Sequence, residues 1–507
     1  MDGPLRTSMD RVAKCCLAWL NPEAGGLPTG GYEVAHDTGR WWDAMLRYEA
    51  ATGLRIPEEA EAAMMKNLRT LTDNPAALLM NTARLPGPAE KIKVNPHNLR
   101  ETLLAYTALV RGRKSDWAQA QGNKLIKTIA SVLDADGQMD YEKLAIIAGG
   151  PLTADPLMVQ RAPAGEWFNA TATTGRAVEA IVWFYEATGE AAALNLARRL
   201  AEVHPRQSID PDGEIRPELR DPAHVGHTHS YCGTLRGLLL FGLASGEKRY
   251  VDAVAATYRR GLWGSAISHS GWTPHDQGKS RFHGPEGDPV GEHASCGDIA
   301  QIALWLALRC GQTELLDDVE RLIRARLLPS QMNDPEHPRR DGAWGVYAHP
   351  FGYGAILDVF AAVLHSLADF HEQIVSTTAA GEVSVNLHFD CDLPSVKVSA
   401  MRDETATLTV LPKESCALRV RVPAWAPRDS LQWKAGNQPQ PTNWDGAYLT
   451  LARKDVVAGR LITLRYDLPP SQTMEEMPVS HRKFQLTWRG DEVASCEPKV
   501  PIYPGAG

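Results

Sequence analysis

What this chain of 507 residues lacks narrows its class before any motif is read. No apolar run reaches the roughly 18 to 20 residues a membrane-spanning helix needs, so no membrane partner is expected. Its eight cysteines form no C-x-x-C pair and no dense framework, which excludes a disulfide-stapled scaffold and points to buried thiols. Base is not in excess. A net charge of −8 and a pI near 6.1 argue against a phosphate-backbone partner, so no nucleic acid is expected. There is no G-x-S-x-G elbow, which removes the usual serine hydrolase. The opening MDGPLRTSMDRVAKCCLAWLNPEAGG has an apolar patch broken by charges and no small-residue cleavage site. Residues 5 to 20 therefore read as an amphipathic helix and the location as cytoplasmic, or periplasmic or secreted where a signal peptide has been trimmed. A homodimer is compatible with this composition.

What is present is an internal repeat. TGRWWDAMLRYEAATG at 38 to 53 returns as TGRAVEAIVWFYEATG at 174 to 189, and such recurrence suggests equivalent helices in one architecture. Weaker relatives begin at 95, 227, 293 and 349, each with a polar entry, an apolar run and a Gly or charged exit. Between them lie more polar helical stretches at 57 to 73, 115 to 134 and 313 to 329. Helices apolar all round are buried, and helices with one apolar stripe lie outside. Six buried helices alternating with exposed ones predict a mainly α fold, an (α/α)6 toroid over residues 1–375, with inner helices starting near 38, 98, 173, 231, 296 and 353. The same hairpins also build an open α-solenoid, but long polar loops before several inner helices favour closure. After Ile374 the spacing switches to alternation in EVSVNLHF, TATLTVLP, CALRVRVPAWA, GAYLTLAR, RLITLRYDLPP and KFQLTWRGDEV. That predicts an antiparallel β-sandwich domain over 376–507.

In such a toroid the inner-helix N-termini line one funnel, and the residues there are polar. The first entry offers Tyr32, Glu33, His36, Asp37 and Arg40; the second, Asn95, His97 and Asn98; the third, Glu166, Trp167, Asn169 and Arg176. The fourth offers His224, His227, His229, Tyr231 and Arg236. A long loop supplies His275, Asp276, Lys279, Arg281, His283, Glu286, Glu292, His293, Cys296 and Asp298, and the last hairpin Trp344, His349 and Tyr353. Thr38 and Thr174 read as helix caps, and Arg40 and Arg176 equally as struts between helices. His-x-His at 227 and 229 can place two nitrogens on a metal, but the spacing names no further ligands, so no metal and no cofactor are expected.

Several of these segments resemble the glycoside hydrolase family 127 group. The likeness is carried by LRVRVPAWA (418 to 426), GAYLTLARKDVVAGRLITLRYDLP (446 to 469), HTHSYCGTLRGLLLF and EHASCGDIAQIALWLAL. It implies an (α/α)6 catalytic barrel with β-sandwich domains that cleaves β-L-arabinofuranosides and other unusual sugars. By position it matches Cys296 to a zinc-ligating Cys, Asp276 to the acid/base Glu and His229 to a substrate-contacting His. The chain departs from the family where adjacent cysteines open the last inner helix, since it reads HPFGYGAILD there, and Ala294 stands for the first Glu of the metal motif. A zinc-held cysteine nucleophile is therefore not expected.

Two chemistries compete on this fold. A glycoside hydrolase acting from the end of a plant or microbial polysaccharide, on an uncommon or acidic sugar, needs two carboxyl groups. Asp276 is the expected acid, and Asp37, Glu166 or Glu292 the second group; Arg236, Lys279 and Arg281 are placed to bind a uronate carboxylate. A polysaccharide lyase would instead use a His or Tyr base with donors on the carboxylate, drawn from Asn98, His227, His229, Tyr231 and Arg236. A noncatalytic sugar-binding relative is the third reading. The remaining expected substrate contacts are Glu33, His36, His97, Trp167, His275, His293, Trp344 and Tyr353.

Overall fold

The computed structural model describes residues 3–82, 92–154, 170–221, 226–263, 265–347, 354–500 and 502–503. Its helices of seven or more residues are α1 (Pro4–Ala18), α2 (Val34–Thr52), α3 (Glu58–Leu71), α4 (Asn98–Arg113), α5 (Asp116–Ser131), α6 (Tyr141–Ala148) and α7 (Thr174–Thr188). There follow α8 (Ala191–Ala201), α9 (Thr228–Ser245), α10 (Lys248–Thr257), α11 (His293–Cys310), α12 (Leu316–Leu322) and α13 (Leu357–Glu372). Among the described residues no helix is long and apolar enough to cross a membrane. The chain forms two compact units: Val12–Ile302 with Met332–His365, and Met1–Arg11 with Ala303–Gln331 and Ser366–Gly507.

The six helices expected inside, α2, α4, α7, α9, α11 and α13, start at 34, 98, 174, 228, 293 and 357, within about one turn of their expected positions. In the first unit α2 packs on α4, α4 on α7 and α7 on α9, while α5, α8 and α10 each pack on the inner helix they follow. This alternation is the (α/α)6 toroid. The inner helices are less apolar than expected: Arg40, Asp43, Arg100, Glu101, Arg176, Glu179, Arg236 and Asp298 are all buried in them.

The repeated Thr-Gly-Arg turns out to be a packing device. A Cβ on Gly39 would stand 2.5 Å from the Glu101 carbonyl oxygen of α4, and one on Gly175 2.5 Å from Thr234 Oγ1 of α9. The glycines thus let neighbouring inner helices approach, and the arginine after each reaches across. Thr38 is not a cap. The chain enters α2 four residues earlier, at Val34, and Thr38 Oγ1 donates to the Val34 carbonyl (2.8 Å). Thr174 is already helical, after Thr173 at the cap position with no side-chain cap bond. The shared Ala-Thr-Gly ending has one geometry: Thr52 and Thr188 donate back one turn to Tyr48 and Phe184 (2.7 Å each), and Gly53 and Gly189 stop the helices at φ 73°. Only glycine adopts that conformation without strain.

The second unit carries the strand-rich C-terminal region. One sheet orders Trp444–Asp445, Tyr448–Leu451, Ala417–Arg421, Glu382–Val385 and Val375–Thr377. Another orders Gln438–Pro439, Gln432–Ala435, Ile462–Asp467, Thr405–Pro412, Val396–Arg402 and Cys391–Asp392; Pro470–Glu476, Lys483–Arg489 and Glu492–Glu497 form a third. Pairs are antiparallel except Ala417–Arg421 with Glu382–Val385, which is parallel. Alternation works as expected: Ala406, Leu408 and Val410 are buried, and Leu408 and Val410 face the buried Leu464 and Ile462 across the ladder. Cross-strand pairs of this kind are what hold a sheet's register.

Candidate active site

The long loop before α11 is more ordered than its composition suggested. Its backbone, the segment entering α9 and the segment entering α11 lie side by side as short extended stretches. Thr228 N–H donates to the His275 carbonyl (2.9 Å), Gln277 N–H to Gly226 (2.7 Å), His275 N–H to Val290 (2.8 Å) and Glu292 N–H to Thr273 (3.1 Å). Gly291–Glu292 pairs in turn with Val346–Tyr347. Four segments far apart in sequence are thus joined by backbone bonds, and function is often carried on loops fixed in this way.

This scaffold brings His227, His275 and Glu292 together. The Glu292 Oε2 atom lies 3.1 Å from His227 Nε2 and 3.7 Å from His275 Nε2, and the two rings are 4.6 Å apart. His227 Nδ1 bonds Ser230 Oγ (2.8 Å), and His275 Nδ1 lies 3.0 Å from Asp276 Oδ1. Burial lowers the His227 pKa to about 4, so the ring is neutral and donates Nε2–H to Glu292. Burial alone would raise Glu292, but His227, then His275, hold it below the usual carboxylate range. Exposed aromatics stand beside the histidines: Phe282 edge-on to His275 (5.2 Å), and Tyr32 edge-on to His36 (5.1 Å).

A second layer is a buried charge network. Glu101 lies 3.1 Å from Arg40, 2.9 Å from Arg100 and 2.5 Å from Arg176. Glu179 pairs with Arg100 and with Arg236 (3.0 Å), and Arg236 pairs with Asp298 (3.1 Å). Burial would raise Glu101, and Arg176, His36 and the other arginines overcome it. Three histidines are tied into this layer. His36 donates from Nδ1 to Asn98 Oδ1 (3.1 Å), and its ring stacks on His97 (5.0 Å). His97 donates from Nδ1 to the Ala172 carbonyl (2.7 Å), and its Nε2 accepts from Arg176. His229 donates from Nδ1 to Asp298 (2.5 Å) and accepts at Nε2 from Arg40 (2.6 Å). Burial drives His36 down to about 3 and His97 and His229 well below their ordinary value.

Sequence reasoning missed one residue of consequence. Asp358, in the first turn of α13, has a buried Oδ1 without a hydrogen-bond partner among the described residues. Burial pushes its carboxyl up to about 6; Arg40 pulls it down, Glu292 raises it and Arg176 lowers it. Its only sequence signal was an acid at the start of the last apolar helix, inside HPFGYGAILD.

Several expectations need correction. Asp276 is not a poised acid: its Oδ2 accepts from the Arg281 N–H (2.9 Å) and its Oδ1 from the Arg281 guanidinium (3.1 Å). Burial would raise it, but His275 and Arg281 hold it below the usual carboxylate range. Tyr231 is no base, since its buried hydroxyl donates to the Ser208 carbonyl (3.1 Å) and burial raises its pKa. His229 and His97 have both ring nitrogens engaged, leaving neither for a sugar. Arg236 is buried among Glu179, Gln301 and Asp298, so it cannot hold a uronate. Glu33 accepts from Asn95 (3.1 Å), Asn98 (2.8 Å) and Lys93 (3.0 Å), which makes both it and Asn98 internal ties. His293 bonds the Gly345 carbonyl (3.0 Å), and Trp344 is fully buried rather than an open platform. Asp37 is buried in the first turn of α2, packed against Gly31. Lys279 is exposed. Glu166, Trp167, Asn169, His224, His349 and Tyr353 lie outside the described residues.

The cysteine-rich zinc set implied by the family resemblance does not fit this chain. Cys296 is buried in α11, and the donors that converge among the described residues are His227, His275 and Glu292, without a thiolate. The chain matches no protein-family model and no curated protein. Solved structures do share its fold. A GH127 β-L-arabinofuranosidase from Geobacillus stearothermophilus T6 aligns over 95% of this chain and 80% of its own, at 14% identity and TM-score 0.60. Another GH127 β-arabinofuranosidase aligns over 97% and 80%, at 13% identity and TM-score 0.61. A D-mannose isomerase aligns over 72% of this chain and 97% of its own, at 12% identity and TM-score 0.52. One toroid thus serves unrelated reactions, and the site must decide function. The chain has a GH127-like fold, an (α/α)6 toroid followed by a β-sandwich.

Proposed function

We propose that this chain is a glycoside hydrolase that removes an uncommon or acidic sugar from the end of a polysaccharide or oligosaccharide. The observation that carries the reading is Asp358. A carboxyl whose pKa burial has raised to about 6 can hold a proton near neutrality and deliver it to a leaving oxygen. The His227, His275 and Glu292 cluster is the proposed place of the second group, which delivers water or attacks the anomeric carbon. Phe282 and Tyr32 are proposed to stack on the sugar, and Lys279 to meet an acidic one. The GH127-like fold supports the class of reaction without naming the sugar.

The test is turnover of a glycoside panel that includes β-L-arabinofuranosides and uronides. Asp358→Asn should lower turnover of natural glycosides by about 10² to 10⁴, the usual contribution of a positioned acid, and aryl glycosides with good leaving groups should lose far less. An unsaturated uronate product, seen by its ultraviolet absorbance, would instead establish the lyase chemistry. Unchanged turnover by Asp358→Asn would remove Asp358 as the acid.

A further inference from the structure

The cluster of His227, His275 and Glu292 has a feature that acid–base chemistry alone does not use. One ring nitrogen of each histidine and one Glu292 oxygen all lie within 4.8 Å of one another, and all three residues are buried. Two of the three separations, 3.1 and 3.7 Å, already approach the roughly 3.3 Å between neighbouring ligands of a tetrahedral zinc ion with bonds near 2.0 Å. The donors are also held rather than merely close. They sit on three neighbouring extended segments, tied by the Thr228 to His275, His275 to Val290 and Glu292 to Thr273 backbone bonds.

The outer nitrogens point the same way. Asp276 is an acceptor only, and its Oδ1 lies 3.0 Å from His275 Nδ1, so a ring with a metal on Nε2 would keep its Nδ1 proton beside that carboxylate. Arg281 also approaches that nitrogen, at 3.2 Å, but it has Asp276 Oδ1 to donate to at 3.1 Å. His227 is backed at Nδ1 by Ser230 Oγ, a hydroxyl able to accept the ring proton once a metal displaces it from Nε2. A carboxylate or hydroxyl behind each imidazole is the usual orienting shell of a metal-bound histidine.

We propose that His227 Nε2, His275 Nε2 and Glu292 bind a divalent transition-metal ion of the zinc class, with a coordination position left open. Two imidazoles and one carboxylate with a free position are a donor set used by catalytic zinc. The set differs from the cysteine ligands of the resembled family in residue type, and His227 and His275 lie outside the matched metal motif. The proposal stands on the cluster's geometry and not on the hydrolase reading. If both hold, the second group of the hydrolysis is a water on the ion and Glu292 is its ligand.

The test needs no sugar. Full-length protein stripped with a chelator is titrated with Co²⁺, followed by its visible absorbance, and with Zn²⁺ by calorimetry. About one equivalent should bind. His275→Gln and Glu292→Gln should each weaken binding at least tenfold, and Asp276→Asn by about 10- to 100-fold, the usual cost of losing an orienting partner. Added Zn²⁺ should raise the melting temperature of the unaltered chain and not that of His275→Gln. X-ray absorption of the Zn-loaded unaltered chain should show two imidazoles and no sulfur, a readout that survives if a variant misfolds. Absence of saturable binding, binding indifferent to all three variants, or sulfur at the ion would overturn the proposal. Absence of glycoside turnover by the unaltered chain with saturable metal binding would overturn only the hydrolase.

Discussion

Asp358 shows what a single buried carboxyl does to both stability and chemistry. Its folded pKa, about 6, lies above the ordinary Asp value of 3.8. Between those values the folded chain keeps a proton that the unfolded chain has released, so stability falls as pH rises through that window. Above about 6 the destabilisation is complete. The groups facing Asp358, namely Arg40, Arg176 and Glu292, set the net size of the effect. Asp358→Asn should therefore raise the melting temperature at pH 8 by about 2–4 °C and change it little at pH 4, while activity falls. Thermal melts at the two pH values check this; a lower melting temperature at pH 8 would show that ionised Asp358 is well compensated. Tyr231 makes the opposite case. Because its hydroxyl serves the Ser208 carbonyl, Tyr231→Phe should cost about 1 kcal/mol of stability and leave turnover within a factor of about two. A collapse of kcat with unchanged stability would restore Tyr231 as a base.

At the scale of the helix, the repeated Thr-Gly-Arg explains how charged residues can line the inside of a toroid. Gly39 brings α2 close to α4, where Arg40 reaches Glu101; Gly175 brings α7 close to α9, while Arg176 reaches the same Glu101 on the other side. Such buried clusters hold only while every charge has a partner. Gly39→Ala would put a methyl 2.5 Å from the Glu101 carbonyl oxygen, which backbone must move to relieve. The expected cost is about 1–3 kcal/mol, seen as a lower urea midpoint at unchanged slope. Gly53→Ala, whose Cβ would meet nothing within 4 Å, should show only the strain of positive φ. Equal effects at the two positions would mean that the close approach is not what the repeat supplies.

At the scale of the molecule, the strand-rich unit does not consist of strands alone. It includes Ala303–Gln331, and buried ion pairs run through it. Arg421 meets Asp317 and Glu320 (2.5 Å), and Arg324 meets Glu492 (3.2 Å) and the His388 carbonyl. Ending the chain at 375, the division read from the sequence, would leave Asp317, Glu320 and Arg324 without these partners. Removing one member of a buried pair costs about 3–5 kcal/mol, and several would be lost together. We expect the 1–375 chain to be recovered insoluble or without a cooperative melt; a soluble, cooperatively melting fragment would show that the division at 375 is sufficient.

Periodicity by itself determined the class of each element. Inner helices, outer helices and strands have different burial patterns, and those patterns are written in the spacing of apolar residues, so helix starts were legible to about one turn. The polar entries likewise announced which segments would supply His227, His275 and Glu292. What spacing cannot contain is which polar side chain is matched by which. Only the tertiary structure decided that Asp276 is clamped by Arg281, that Tyr231 is used by a backbone carbonyl and that Arg236 is an internal strut. Only it left Asp358, inconspicuous in the sequence, with a buried oxygen lacking a hydrogen-bond partner among the described residues. The physical reason is that a group's protonation and its freedom to react depend on desolvation and on charges a few ångströms away. Those neighbours come from helices up to hundreds of residues apart, as Arg40 and Asp358 do.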